Sequence, residues 1–500
     1  MYKKRLVEII LLLTFFLPGF SFASTALTAQ VISLSQNTVA DDSLARAFNI
    51  TLDRQAAINL SCVESAPGGE HHLLHQFAAR KHTLLLRGLK SDTEYQCKAT
   101  TDSGKKIRSN LVTFTTQPLP ANLPKPEIVV DSQKQSNTGY TLYNYAVRNA
   151  NGSMRDRYLV IIDAEGEVRW YLQDAGGINV EAVYLGDEKI AYGGWVHRDE
   201  YITPTIIGLN KQIAFVATTE TASETEIPNS FHHDVDVSEN AKSIFTVMHT
   251  RVDNIWSGFL IKEIDLATNR VVWSWDSLRD GVEAGYLQPG SETNPDPYHA
   301  NAVFDREENG KLQIYVSARN QQQILKIDYQ SKALVWSLGV NGDFTLLEKD
   351  GNLADSSRWF FGQHDVQRHG NILSVYDNGL DRVDYGGEAY SRAVQLELDE
   401  SARTARIIFE YDDQPNWGEP NWGGFDPLPN GHSLLAIGHN WIANPRPYSS
   451  RLLELNKQQK VVWEARFVDK TAGIYRADRI DGCAIFNNLS YCPQLKHLQH

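Results

Sequence analysis

The chain alternates short apolar runs with acidic, amide and glycine-rich turns from end to end, without a sustained 3.6-residue stripe. Brief alternating or continuous apolar runs bounded by such turns predict β-strands. One unit returns six times: an apolar strand, an acidic or amide turn, and a second strand usually ending near Trp. The copies run from Ile161-Ile162-Asp163 to Trp170, Ile206-Ile207-Gly208-Leu209 to Val216, Ile264-Asp265 to Trp275, and Ile327-Asp328 to Trp336. Two more run from Val394-Gln395-Leu396 to Phe409 and from Leu452-Leu453-Glu454-Leu455 to Trp463. Their spacing, roughly 45 to 70 residues, is that of propeller blades with loop insertions. Before most copies lies a further strand pair, such as His233 to Val247, His299 to Val316, His364 to Tyr376 and Phe425 to Ile437. The pattern predicts a six-bladed β-propeller over 127–500, with Ile474 to Ala477 pairing with the first blade to close the ring. Seven or eight blades, or a long β-sandwich, are the alternatives.

Residues 28–117 follow a different pattern. Alternation over Ala57 to Cys62, the run Leu84 to Leu89, and Tyr95 two residues before Cys97 predict an Ig-like β-sandwich with a tyrosine corner. No Trp lies between the two cysteines, so fibronectin-III-like is the better description. A proline-rich linker, 118–126, joins it to the repeats. This domain carries no chemical constellation and reads as a spacer, carbohydrate or partner module. The whole is all-β.

Composition narrows the setting. Lys3, Lys4 and Arg5 precede the apolar run Ile9 to Leu17, and Ser21-Phe22-Ala23 ends in a small-residue cleavage pattern, so 1–23 reads as a signal peptide. The run is short for a membrane span, a retained anchor being the alternative. A periplasmic or secreted protein, free of the membrane after signal removal, is expected. Cys62 with Cys97 and Cys483 with Cys492 then read as two disulfides. A net charge of −13 argues against nucleic-acid binding. A homodimer is compatible with this composition.

The main chemical clue is histidine at the start of inner strands: Phe231-His232-His233-Asp234-Val235, Tyr298-His299-Ala300-Asn301, and Gly362-Gln363-His364-Asp365-Val366. Aligning the two His-Asp-Val segments puts His233 in register with His364. Starts of innermost strands converge on the central channel of a propeller. Strand alternation places Asn301 with His299, and Arg319 with Ser317. Three imidazoles, an amide and a guanidinium at one mouth suit a tetrahedral oxyanion. Asp234 and Asp365 read as acceptors for turn amides.

These segments, with Ser317-Ala318-Arg319-Asn320, Gly370-Asn371-Ile372-Leu373, Asp377-Asn378-Gly379 and Tyr475-Arg476-Ala477-Asp478-Arg479-Ile480, resemble the arylsulfate sulfotransferase family over about 125–482. The resemblance implies a six-bladed, usually periplasmic enzyme that moves a sulfuryl group from phenolic sulfates to phenols without the nucleotide donor PAPS. It makes His364 the transiently sulfated nucleophile, and His299 and Arg319 the holders of sulfate oxygens. The His232-His233 pair supplies one more imidazole, His233 by register. Asn301 and His232 are expected to contact substrate. No cofactor and no metal are implied. The rival readings are a metal-dependent propeller lyase using His233, His299 and His364, and a non-catalytic propeller that binds glycan or sulfated ligands.

Overall fold

The computed structural model describes residues 29–499, apart from 102–108, 124, 133–138, 149–153, 174–180, 196–201, 253–254, 289, 292, 414–416, 439–448 and 469–471. The signal-peptide segment, 1–23, lies outside the described residues.

The chain is all-β. Strands Val31–Val39, Asp42–Glu64, His71–Leu86, Glu94–Thr101 and Val112–Thr115 form one N-terminal sheet. The 23-residue strand Asp42–Glu64 is its spine, pairing with three of the others. Around it Phe48, Leu60, Tyr95 and the Cys62–Cys97 disulfide form a buried core. The Tyr95 hydroxyl accepts the Lys90 backbone N–H at 3.0 Å, the corner bond its position predicts.

Residues beyond the linker form six further sheets among the described residues, each built on four antiparallel strands, with a fifth strand at the outer edge of two of them: Thr345–Leu347, which pairs in parallel, and Glu127–Asp131. All six strand-turn-strand copies are the third and fourth strands of one sheet each, as in Met154–Ile162 with Val168–Gln173 and Ser450–Leu455 with Val461–Phe467. The innermost strands touch in cyclic order: Ala182–Gly186, Glu226–Val237, Ala300–Glu308, His364–His369, Gly424–Pro427, Ala472–Asp481, then Ala182–Gly186 again. Strand Ala472–Asp481 pairs with Gly139–Arg148, so the chain's last long strand completes its first ring sheet. At the outer edge, Glu127–Asp131 joins the last sheet beside Val461–Phe467. Both ends of the ring are therefore held by strand pairing.

The tryptophans explain the repeat. Trp170, Trp275, Trp336 and Trp463 are each at most 1% exposed. Each indole N–H reaches the outer turn of the next sheet: Trp170 to the Leu209 carbonyl at 2.8 Å, Trp275 to Lys332 at 2.9 Å, Trp336 to the Glu400 carboxylate at 2.9 Å. Trp463 donates to the Ala164 carbonyl at 2.8 Å, bridging the last sheet to the first. A buried indole brings a large apolar surface and one donor that must be met, which suits this joint.

The N-terminal sheet is seated on the ring. Arg169, in the first ring sheet, donates to Glu70 at 2.6 Å and to the Gly88 carbonyl at 3.0 Å. The linker packs inward, with Leu123 and Leu119 against the first and last ring sheets. The loop closed by Cys483–Cys492 adds backbone bonds to the strand His71–Leu86, Leu73 N–H to Asn487 and Leu489 N–H to His71. Among the described residues, no helix is long and apolar enough to cross a membrane.

Replacing Trp463 by Phe keeps most of the buried ring and orphans the Ala164 carbonyl. The expected loss is about 1–3 kcal/mol in chemical denaturation. An unchanged midpoint would show that the joint does not stabilise the ring.

Candidate functional site

Four inner strands carry an irregularity at the same end of the ring. Register slips between His232 and Val235, Ala300 and Ala302, His364 and Gln367, and Ile474 and Ala477. Bulges of this kind re-aim side chains that regular alternation would send elsewhere. His233 and His299 adopt left-handed φ of 65° and 45°, a conformation costly for these residues and commonest where function fixes the backbone.

The result is an aromatic and imidazole cluster. The His233 and His299 rings lie 4.9 Å apart, edge to face. Tyr475 stands 6.2 Å from both His233 and His364, with Trp422 beyond it at 6.3 Å. The Tyr475 ring is 1% exposed, and its buried hydroxyl has no hydrogen-bond partner among the described residues.

Each imidazole has a different Nδ1 partner. His364 Nδ1 donates to Asn378 Oδ1 at 2.8 Å and lies 3.1 Å from the Gly362 carbonyl. His299 Nδ1 meets the Asp296 carboxylate at 2.5 Å, which also takes the His299 backbone N–H. His233 Nδ1 is hydrogen-bonded to His232 Nδ1. His232 lies behind, its ring stacked 3.8 Å from His249.

Burial, followed by the neighbouring imidazoles, holds His233 well below the usual imidazole range. Burial and then the Arg319 guanidinium do the same to His364. Both rings are therefore neutral. Burial raises the Asp296 carboxyl, but its bond and attraction to His299 outweigh this and leave it lowered.

Arg319 opens the short 3₁₀ turn Arg319–Gln321, after the strand rather than within it. Its Nη2 donates to the Pro420 carbonyl at 3.0 Å, and Nη1 to Asn320 at 2.8 Å. A Cβ on Gly362 would lie 3.7 Å from Nη2, so the guanidinium lies beside the turn that precedes His364.

The structure thus brings together His233, His299, His364 and Arg319 and sets two other residues apart. His232 is the partner of His233. The bulge breaks the alternation expected for Asn301, which is fully buried with its amide donating to the Gln363 carbonyl at 2.8 Å. The His-Asp-Val alignment holds for the aspartates: Asp234 accepts the Val303 N–H at 2.6 Å and Asp365 the Phe425 N–H at 2.5 Å, each on the next inner strand. In the hairpins it is displaced, because His232 pairs with Val247 as His364 pairs with Tyr376.

Beneath the cluster, buried Arg476 bonds Glu181 at 2.5 Å, Asp234 at 3.2 Å and the Asn301 carbonyl at 2.9 Å. It borders a chamber of about 220 Å³ whose acidic lining includes Asp236, Asp365, Asp426 and Asp478. Burial pushes Glu181 up to about 8 and Asp478 to about 7, so these carboxyls retain protons near neutrality. No group of three His, Cys, Asp or Glu side chains is arranged to hold a metal among the described residues.

Sequence reasoning gave no role to Tyr475, Asn378, Asp296 or Arg476. Tyr475, Arg476 and Asn378 stood within quoted motifs. Asp296, three residues before His299, carried no separate signal.

A family model described as Arylsulfotransferase (ASST) matches residues 127–476. No curated protein matches the chain. Among solved structures, a quinonprotein alcohol dehydrogenase-like protein from Bacteroides thetaiotaomicron is 12% identical, with 91% of this chain and 99% of that one covered, TM-score 0.34. The β-propeller domain of the Trilobed protease from Pyrococcus furiosus is 9% identical, covering 68% and 93%, TM-score 0.32. A prolyl endopeptidase is 12% identical over 75% of this chain, TM-score 0.30, and the match spans 47% of that longer protein. TM-scores this low do not establish a shared fold.

The neutral imidazoles make stability depend on pH. Unfolding releases His232, His233 and His364 to water, where each binds a proton below pH about 6.5. The unfolded chain then holds more protons than the folded one, and stability drops as the pH is lowered, by about 1.4 kcal/mol per unit for each such group. A His364→Asn variant should therefore show a shallower loss in denaturation free energy between pH about 6.5 and 5. Equal slopes would mean that this ring is not held neutral.

Proposed function

The chain belongs to the arylsulfotransferase family, and we propose that it transfers a sulfuryl group from a phenolic sulfate ester to a phenol through a sulfated His364. The six sheets are read as the blades of one propeller, with a fibronectin-III-like domain in front. A periplasmic or extracellular setting fits the two disulfides.

The observation that carries the reading is the hydrogen bond from His364 Nδ1 to Asn378. With its hydrogen on Nδ1, the neutral ring has a lone pair on Nε2 for attack on sulfur. Sulfuryl transfer, like phosphoryl transfer, passes through a loose transition state, so positioning and charge placement dominate. Arg319 and His233 hold the nonbridging oxygens. As the N–S bond forms, the bond from sulfur to the aryl oxygen breaks. His299, supported by Asp296, protonates the departing phenolate and accepts the proton of the incoming phenol. The anionic ester itself favours the protonated imidazole needed for the first step. Tyr475 and Trp422 offer aromatic surface for a phenol ring.

The test is incubation with 4-nitrophenyl sulfate and phenol in the absence of PAPS. Release of 4-nitrophenol and a sulfated protein in intact mass are expected, the adduct vanishing in His364→Ala. Arg319→Ala should still form the adduct, about a hundredfold more slowly. An adduct that survives in His364→Ala would assign the nucleophile elsewhere. No 4-nitrophenol release at any pH from the intact protein would favour a non-catalytic, ligand-binding propeller.

A further inference from the structure

Asn378 belongs to the Asp-Asn-Gly motif and is 1% exposed. Its amide orientation is fixed by its donors: Nδ2 gives one hydrogen to the Glu419 carbonyl at 2.6 Å and the other to the Trp422 carbonyl at 3.0 Å. Oδ1 is left to face His364 Nδ1. An amide oxygen and the Gly362 carbonyl can only accept, so the imidazole must carry its hydrogen on Nδ1. The Asn378 backbone is anchored as well, its carbonyl accepting the Ser391 hydroxyl at 2.7 Å. Ser391 Oγ in turn receives the Glu419 N–H at 2.8 Å. The same loop holds Arg319 through the Pro420 carbonyl, so nucleophile and anion holder share one frame.

We propose that Asn378 is a positioning residue whose neutral amide locks His364 in the Nδ1–H tautomer, aims Nε2 at sulfur, and keeps the resulting N–S bond breakable. This rests on His364 being the nucleophile. The contrast with His299 shows why an amide matters. A carboxylate in that place, as Asp296 stands behind His299, would favour the imidazolium of His364, which has no lone pair to attack with. In the sulfated intermediate it would also draw on the Nδ1 proton and make the departing ring more imidazolate-like. An amide does neither. In the second step the phenol oxygen bonds to sulfur, the N–S bond breaks, and its electron pair returns to Nε2 of a neutral imidazole.

The titratable and charged groups around His364 are Arg319, Arg476, His299, His233 and Tyr475. The neighbouring Asp365 carboxylate is turned to the Phe425 N–H. Replacing Asn378 by Asp would put a carboxylate directly behind Nδ1.

Full-length protein with ¹⁵N-labelled histidine tests this by long-range ¹⁵N–¹H correlation, the His364 signal being assigned by its loss in His364→Asn. Wild type should show the Nδ1–H form at neutral pH. In Asn378→Asp the His364 titration midpoint should rise by about one to three units. The adduct formed from 4-nitrophenyl sulfate should then pass its sulfuryl group to phenol about tenfold or more slowly. An Nε2–H tautomer in wild type, or an unchanged midpoint and transfer rate in Asn378→Asp, would overturn the proposal. The wild-type measurement decides the tautomer even where the variant fails to fold. Absence of any adduct in wild type would sink the transferase reading, whereas the tautomer would still report what Asn378 does to the ring.

Discussion

Ring closure by strand Ala472–Asp481 is the constraint on which the remaining architecture hangs. Six twisted sheets arranged around an axis leave the first without an inner strand until the chain's end returns to supply it. That strand does more than close the ring. Tyr475 stands between His233 and His364, and Arg476 ties Glu181, Asp234 and the Asn301 carbonyl into one buried knot. Residues from four inner strands thus depend on a segment that arrives last. The loop clipped by Cys483–Cys492 then anchors the following residues against the N-terminal sheet. One strand thus serves both ring closure and the histidine cluster.

Electrostatics give the axis a direction. The protein carries a net charge of −13, yet the Arg319 guanidinium stands close to the His364 imidazole. On the far side of Arg476 the chamber is acidic. A buried guanidinium surrounded by carboxylates is largely neutralised, so it offers little to an approaching anion. Arg319 bonds instead to carbonyl and amide oxygens, which leave its charge in place. With Arg476 committed to Glu181, Asp234 and the Asn301 carbonyl, Arg319 makes the histidine end the favourable approach for an anionic ligand.

Much of the fold was legible in the sequence because the repeat has a physical cause. An apolar third strand and a fourth strand ending in Trp recur because each indole staples the outer turn of the next sheet. Where Val216 and Phe409 replace Trp, the apolar pattern alone marks the copy. The site was half legible. His233, His299, His364 and Arg319 could be placed at one mouth from strand position and motif. Asn301 could not, since period-two reasoning fails at a bulge, and one extra residue in the strand turns its amide into the wall. Asn378 and Asp296 were invisible for a different reason. Asn378 reaches its ring from the end of the neighbouring strand, and Asp296 is one carboxylate among many, three residues before His299; neither leaves a signature in the sequence.

Those partners are what separate imidazoles that look alike in the sequence. An imidazole's chemistry is set at one nitrogen by what the other nitrogen touches. Backed by an amide, His364 is neutral, with a lone pair on Nε2. Backed by the Asp296 carboxylate, His299 is suited to carry a proton. His233, backed by another imidazole and deeply desolvated, is neutral. Three histidines at one mouth would be redundant if they shared one environment. With an amide, a carboxylate and an imidazole behind them, they differ at the nitrogen that faces the mouth, and that difference is what the proposed division into nucleophile, proton carrier and oxygen holder draws on.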